Sequence, residues 1–144
     1  MSLYEKTAWA SLVVVVVTAG WYMVNVLGEG GPDDLAGIFA EMVALVVVIV
    51  AIEIIAQIVI VVTTRKKDKD ERDVAIEGRA AIYGQLAVFV GVFWVIIQVV
   101  IDGIWLFDTE TISRVAVVNS LLIALVVGEI VNLGTQIVLY RRTA

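Results

Sequence analysis

The chain has 144 residues, of which 61% are hydrophobic and 17% are charged, and its mean hydropathy is +1.00. This composition excludes an ordinary soluble domain, in which about half of the residues are apolar and about a quarter are charged, and it also excludes a disordered chain. The net charge of −5 argues against binding to nucleic acid, and a chain without cysteine or histidine has no thiolate or imidazole for a zinc site, a haem ligand or a catalytic triad.

Four stretches of the sequence are long and apolar enough to cross a membrane. A helix needs about 20 apolar residues to cross a hydrocarbon core of about 30 Å. The first and third stretches are uncharged over 22 residues each, whereas the second contains Glu41 and Glu53 and the fourth contains Arg114 and Glu129. The spans are predicted over residues 7–28, 35–64, 80–101 and 112–140.

The spans group into two hairpins. Residues 1–66 form the first hairpin, residues 80–144 form the second, and residues 67–79 form a charged cytoplasmic connector. The valine-rich runs do not favour strands, because strands of globular proteins are about 3–10 residues long and the alternation of a membrane barrel is lacking. The sequence therefore predicts an all-α membrane protein with four transmembrane helices.

The basic residues are distributed very unevenly between the two sides of the membrane. Nine of the ten lie in the N-terminal segment, the connector or the C-terminal segment, and the turns that join the spans within each hairpin hold none. These nine are Lys6, Arg65, Lys66, Lys67, Lys69, Arg72, Arg79, Arg141 and Arg142. By the positive-inside rule, both termini and the connector are expected in the cytoplasm, and we expect a multi-pass protein of a prokaryotic plasma membrane.

The two hairpins resemble each other residue by residue. At an offset of 73 the first span aligns with the third, and at an offset of 76 the second aligns with the fourth. The matched pairs include Trp21 with Trp94, Asn25 with Gln98, Glu53 with Glu129, and Arg65 with Arg141. We interpret the chain as a tandem duplicated two-helix hairpin. Because each half has an even number of spans, the pseudo-two-fold axis is expected to run along the membrane normal.

Each predicted span carries a seam of small or polar residues on an otherwise apolar cylinder. Amide side chains recur on these seams at helical spacing, and buried amides in membranes hydrogen-bond between helices. The candidate ligand-binding or ion-binding residues are Glu53, Glu129, Gln57, Asn132, Gln136, Asn25 and Gln98. The alternative interpretation of the amides is that they only hold the helices together.

Glu53 and Glu129 are the most informative of these residues. Each lies twelve positions from its basic flank, which is about 18 Å along a helix and therefore deep in the membrane. An acidic group there should face protein or water, and two like carboxylates cannot both ionise cheaply without a compensating cation. Three interpretations remain open: a hydrogen-bonded pair that joins the two halves, a site for a proton or hard cation, and a site for a partner. If a metal binds anywhere, these two glutamates are its predicted ligands.

The connector holds a short acidic and basic motif. Asp70, Glu71, Arg72 and Asp73 precede Ile76 and Glu77, and a tyrosine-containing span begins at Ala80. This pattern resembles uncharacterised small prokaryotic multi-span membrane proteins that carry a D-E-R-D/E motif before a hydrophobic hairpin. Those proteins have no assigned activity, so the resemblance implies a membrane hairpin and no function.

The sequence favours a non-enzymatic membrane protein whose paired glutamates bind a proton, a cation or a small cationic ligand. Such a site could serve to transport the bound ligand across the membrane. The alternative is a structural or accessory subunit in which the pair only stabilises helix packing. We expect the lipid bilayer as a partner, no nucleic acid and no cofactor, and we leave open a homo-oligomer or a membrane-protein partner.

Overall fold

A computed structural model of the chain describes residues 3–27, 35–63, 70–105 and 114–142, and these residues are almost entirely helical. Within the described residues there are four helices, and each is long and apolar enough to cross a membrane. They are α1 (Leu3–Leu27), α2 (Leu35–Thr63), α3 (Glu71–Trp105) and α4 (Arg114–Arg142). The prediction of an all-helical protein with four membrane-spanning helices is confirmed.

The third helix begins nine residues before the predicted span, at Glu71 rather than residue 80. The start is fixed by a capping box, since the backbone N–H of Arg72 donates to Oδ1 of Asp70 and the backbone N–H of Asp70 donates to Oδ2 of Asp73 at 3.3 Å. The backbone N–H of Val74 donates to the Asp70 carbonyl at 3.2 Å, which closes the first helical turn. Most of the predicted connector is therefore the first two turns of α3. The basic residues Arg65, Lys66, Lys67 and Lys69, which precede α3, lie outside the described residues.

The helices pack in the spatial order α2, α1, α4, α3. The contact between α3 and α4 is the most extensive, α1 contacts both α2 and α4, and α2 touches α4 only slightly. A two-fold axis between the hairpins would exchange α1 with α3 and α2 with α4. The contact between α2 and α3 should then be as extensive as the contact between α1 and α4. The described residues show no contact of that extent between α2 and α3. The structure thus shows the four helices without showing the duplication or its symmetry axis.

Glycines allow α3 and α4 to approach closely. A Cβ atom built on Gly84 would lie 2.7 Å from Cβ of Asn132 and 2.8 Å from the carbonyl oxygen of Gly128, and one built on Gly91 would lie 2.7 Å from Cβ of Ala124. Small residues permit this approach between membrane helices, where dispersion contacts replace the hydrophobic effect as the force that joins them. The close crossing places Asn132 directly beside the backbone of α3.

Aliphatic and aromatic residues pack α1, α2 and α4 together. Tyr22, Val26, Ile38 and Leu45 are buried against one another, with Leu122 of α4 at their edge. At the opposite end of the helices, the start of α1 meets the end of α4. We call this second end, which carries Lys6, Arg79, Arg141 and Arg142, the basic end.

Candidate functional site

A cavity of about 520 Å³ opens at the basic end, and all four helices contribute to its wall. It forms where the first turns of α1 and α3 meet the last turns of α2 and α4. Its polar lining consists of Tyr4, Thr7 and Ser11 from α1, Gln57 from α2, Glu77 from α3, and Asn132 and Gln136 from α4. The rest of the wall is apolar and comprises Ala8, Ile60, Ala81 and Leu133. The volume falls within the range of about 300–1,000 Å³ that is usual for small-molecule pockets.

Three polar side chains of α4, those of Gln136, Asn132 and Glu129, form a row from this cavity toward the middle of the predicted span. The Nε2 of Gln136 donates to Oδ1 of Asn132 at 3.2 Å, and Nδ2 of Asn132 lies 3.5 Å from both carboxylate oxygens of Glu129. The spacings of three and four residues place the three side chains on one face of the helix. The distance to Glu129 is at the long limit for a hydrogen bond, so this carboxylate is held loosely in the isolated chain.

The two intramembrane glutamates have different surroundings. Glu53 is half-buried on α2 and has no hydrogen-bond partner among the described residues, whereas Glu129 is exposed on α4. Neither is among the residues that line the cavity. A carboxylate at this depth is expected to face protein or water, whereas Glu129 is exposed in a surface groove of the isolated chain. The physical reason is the helix order, because α4 presents this residue to a groove between α3 and α4 and has little contact with α2.

That groove contains further polar groups. It has a volume of about 480 Å³, and Gln85, Glu129 and Asn132 line it beside Gly84 and Gly128. Because Asn132 lines both the groove and the cavity, its amide lies between the two. The carboxylate of Glu129 is therefore one side chain away from the cavity wall.

The predicted site residues thus divide into groups. Gln57, Asn132 and Gln136 are brought together in the cavity. Asn25 and Gln98 are both exposed and do not line it, and Nδ2 of Asn25 donates to the Trp21 carbonyl of its own helix at 2.9 Å. That local bond ties one N–H of the amide to the backbone of α1.

Two polar residues that matter in the structure were missed by the sequence reasoning. Glu77 was assigned to a solvated connector, although the capping box at Asp70 would have predicted a helix that continues through it. Asn119 was not singled out, yet it is only 5% exposed, and its Oδ1 accepts a hydrogen bond of 2.8 Å from the hydroxyl of Tyr22. A single amide within an apolar run is the signal that could have identified Asn119.

An ion pair and an aromatic contact lie at the basic end of the helices. Glu5, which is only 8% exposed, lies with Oε1 3.6 Å from Nε of Arg141. The guanidinium of Arg141 also lies 5.4 Å from the centre of the Trp9 ring, within the range of a cation–π contact. These contacts join the start of α1 to the end of α4, and the charge of Arg141 is engaged by both of them.

The acidic residues of the four described helices do not cluster as metal ligands do. Within the described ranges, no group of three or more acidic residues is arranged to hold a metal ion. No family model, curated protein or solved structure matches this chain.

Proposed function

We propose that this chain is a small integral membrane protein that binds a proton, a cation or a small cationic ligand at its carboxylates inside the membrane. The observation that carries the proposal is the cavity at the basic end, where amides from α2 and α4 meet and from which the Asn132 amide reaches Glu129. Transport of the bound cation across the membrane belongs to this proposal.

The chemistry of the cavity favours a positive ligand over a negative one. Its lining holds the carboxylate of Glu77, several amides and hydroxyls, and no basic side chain among the described residues. Oxygen donors of this kind suit hard cations and ammonium groups. Carboxylates within membrane spans commonly mark a path for ions or protons.

Flux through proteoliposomes tests the proposal. We expect the wild-type protein to show proton-dependent or cation-dependent flux, and the double variant Glu53→Gln with Glu129→Gln to lose it by at least about tenfold while remaining folded. Glutamine keeps the shape and hydrogen-bonding atoms of a protonated glutamate, so only the ability to ionise is removed.

Glu71→Gln is the matched control, because Glu71 is exposed in the first turn of α3, away from the cavity lining. Its flux should equal that of the wild type. Flux in the double variant that equals wild-type flux would exclude the glutamates from the function.

A second candidate function is that of a structural or accessory subunit, and the exposure of Glu129 favours it. A carboxylate exposed to hydrocarbon costs at least about 2.5 kcal/mol, and Glu129 and Gln85 share one groove on the surface of the isolated chain. A second copy or another membrane protein at that groove would cover both. Disulfide cross-linking of a Gln85→Cys variant in native membranes tests for a second copy at that groove, since each copy then supplies one thiol of the bond, with Gln98→Cys on the same helix as the control.

The remaining sequence predictions belong to this proposal. We place both termini on the cytoplasmic side of a prokaryotic plasma membrane because of the distribution of basic residues. We also retain the duplicated hairpin with its axis along the membrane normal, since the matched residues of the two halves support it. None of these points requires an enzymatic activity or a cofactor.

A further inference from the structure

We propose that water and small ions reach Glu129 from the basic end of the helices only, through the cavity and the groove that adjoins it. We call these two spaces together the inlet. The inference rests on the proposed function, because it states from which side of the membrane the carboxylate is reached. Three features carry it: the two spaces adjoin, their walls suit water, and the opposite half of the described helices is closely packed.

The cavity and the groove form one continuous recess. Ala81 of α3 and Asn132 of α4 line both of them, so the volumes of about 520 Å³ and about 480 Å³ meet at these two side chains. The cavity opens at the basic end, and the groove continues from it along α3 and α4 past Gly128 and Glu129. A solute that enters at the basic end therefore has a path to the Glu129 carboxylate.

The wall of the inlet suits water. A water molecule takes up about 30 Å³ in the liquid and needs two to four polar partners inside a protein. Ser11, Gln57 and Gln136 line the cavity, and the amide of Gln57 has no hydrogen-bond partner among the described residues. In the groove, Glu129 meets the Asn132 amide at 3.5 Å. A carboxylate inside a membrane span faces protein or water, and water in the inlet would complete its hydrogen bonds.

Beyond the groove, α3 and α4 close against each other. The lining of the groove ends at Val88 of α3 and Leu125 of α4. One turn further along α3, a Cβ atom built on Gly91 would lie 2.7 Å from Cβ of Ala124. Val95, which follows one turn later, is buried. The two helices leave no room for water at this crossing.

The contacts of α1 in the same half of the molecule are equally dry. Tyr22 and Val26 of α1 are buried against Ile38 and Leu45 of α2, and the hydroxyl of Tyr22 already donates to Asn119 of α4. Apolar constrictions of this kind exclude water and ions. Among the described residues, the inlet is thus open toward the basic end and closed toward the opposite end.

Labelling of single cysteines with a membrane-impermeant methanethiosulfonate reagent, in right-side-out and inverted membrane vesicles, tests the inlet. The reagent modifies thiols that water reaches, and the chain has no cysteine of its own. We expect Ser11→Cys and Ala81→Cys to be labelled from the basic-end side only. Lys6→Cys identifies that side, and Glu29→Cys identifies the opposite one. Ala124→Cys, which is buried at the helix crossing, should be labelled from neither.

A second experiment tests the connection between the cavity and the groove. Gln85 lines the groove and not the cavity, and we expect Gln85→Cys to be labelled from the basic-end side. Adding Ala81→Phe, which fills the junction, should slow this labelling by at least about tenfold. Ala75→Phe is the matched control, because Ala75 is exposed on α3 and lines neither space. It should leave the labelling rate unchanged.

The outcomes separate this inference from the proposed function on which it rests. Labelling of Ala81→Cys from the opposite side, or from neither side in folded protein, would overturn the inlet. Ser11→Cys exchanges one oxygen for sulfur, so it keeps the test decisive if Ala81→Cys does not fold. Two-sided labelling with flux that depends on Glu53 and Glu129 would refute one-sided access and leave the proposed function standing. One-sided labelling without binding or flux of any cation would support the inlet and refute the proposed function.

Discussion

The hydrogen bond between Tyr22 and Asn119 illustrates how a single polar pair can specify the packing of apolar helices. Tyr22 is 1% exposed and Asn119 is 5% exposed, and the bond joins residues 97 positions apart in the chain. The aliphatic residues around the pair could pack in several alternative arrangements of similar energy, because contacts between hydrocarbon surfaces have little directional preference. A buried donor and acceptor must meet, because each costs free energy when it is left unpaired.

Removal of the Tyr22 hydroxyl should therefore destabilise the contact between α1 and α4. We expect Tyr22→Phe to lower the free energy of unfolding by about 0.6–2 kcal/mol, the range for hydrogen bonds between membrane helices. Titration with a denaturing detergent measures the loss. Tyr83→Phe is the control, since Tyr83 is exposed, and an equal loss in both variants would contradict a specific role for the bond.

The start of α3 shows how a motif in the sequence acts on an entire element. Asp70 and Asp73 form the capping box, and the acidic side chains of Glu71 and Asp73 lie in the first turn, where the partial positive charge of a helix start favours them. The helix thereby extends through Glu77 and carries it to the cavity wall. Helix capping accounts for Asp70 and Asp73 of this motif.

Loss of the cap should fray the first turns of α3. We expect Asp70→Ala to cost about 0.5–2 kcal/mol and to increase hydrogen exchange over residues 71–77, whereas Glu71→Ala should have a much smaller effect. Hydrogen exchange with mass spectrometry reports the difference. Unchanged protection in Asp70→Ala would show that packing alone holds the start of this helix.

The crossing of α3 and α4 offers a second test at the level of elements. A Cβ atom on Gly128 would lie 2.1 Å from Cγ2 of Val88, whereas one on Gly134 of the same helix would meet nothing within 4 Å. We expect Gly128→Ala to destabilise the protein by about 1–3 kcal/mol through overpacking, and Gly134→Ala to be neutral or stabilising because alanine favours helices. Thermal unfolding in detergent measures both, and equal Tm values would contradict the close crossing.

At the scale of the whole molecule, the distribution of basic residues predicts the orientation in the membrane. A membrane-impermeant thiol reagent added outside the cell should label Glu29→Cys and Asp108→Cys and should not label Lys69→Cys. The chain contains no cysteine of its own, so the labelling has no background. Labelling at position 69 from outside would reverse the orientation, and the cavity would then open outward.

The number and positions of the helices could be predicted from the sequence because hydrocarbon thickness sets the length of an apolar run. The start of α3 was missed because hydropathy does not detect a helix that continues through charged turns. The amides of the cavity were predicted by their spacing along each helix. The exposure of Glu129 could not be predicted in this way. Periodicity shows which residues share a face of a helix, but it does not show which other helix packs against that face. In the structure, α3 rather than α2 lies beside Glu129.

The pairing of the first helix with the last bears on how the protein is made. The contact between Glu5 and Arg141 and the hydrogen bond between Tyr22 and Asn119 can form only after α4 has been synthesised. During translation α1 and α2 would rest in the bilayer as a hairpin, with the polar groups of α1 facing lipid or the insertion machinery. The wall of the cavity includes side chains of α4, so the cavity would form only once α4 has been made and has packed against α1, and a chain that ends before α4 would lack it.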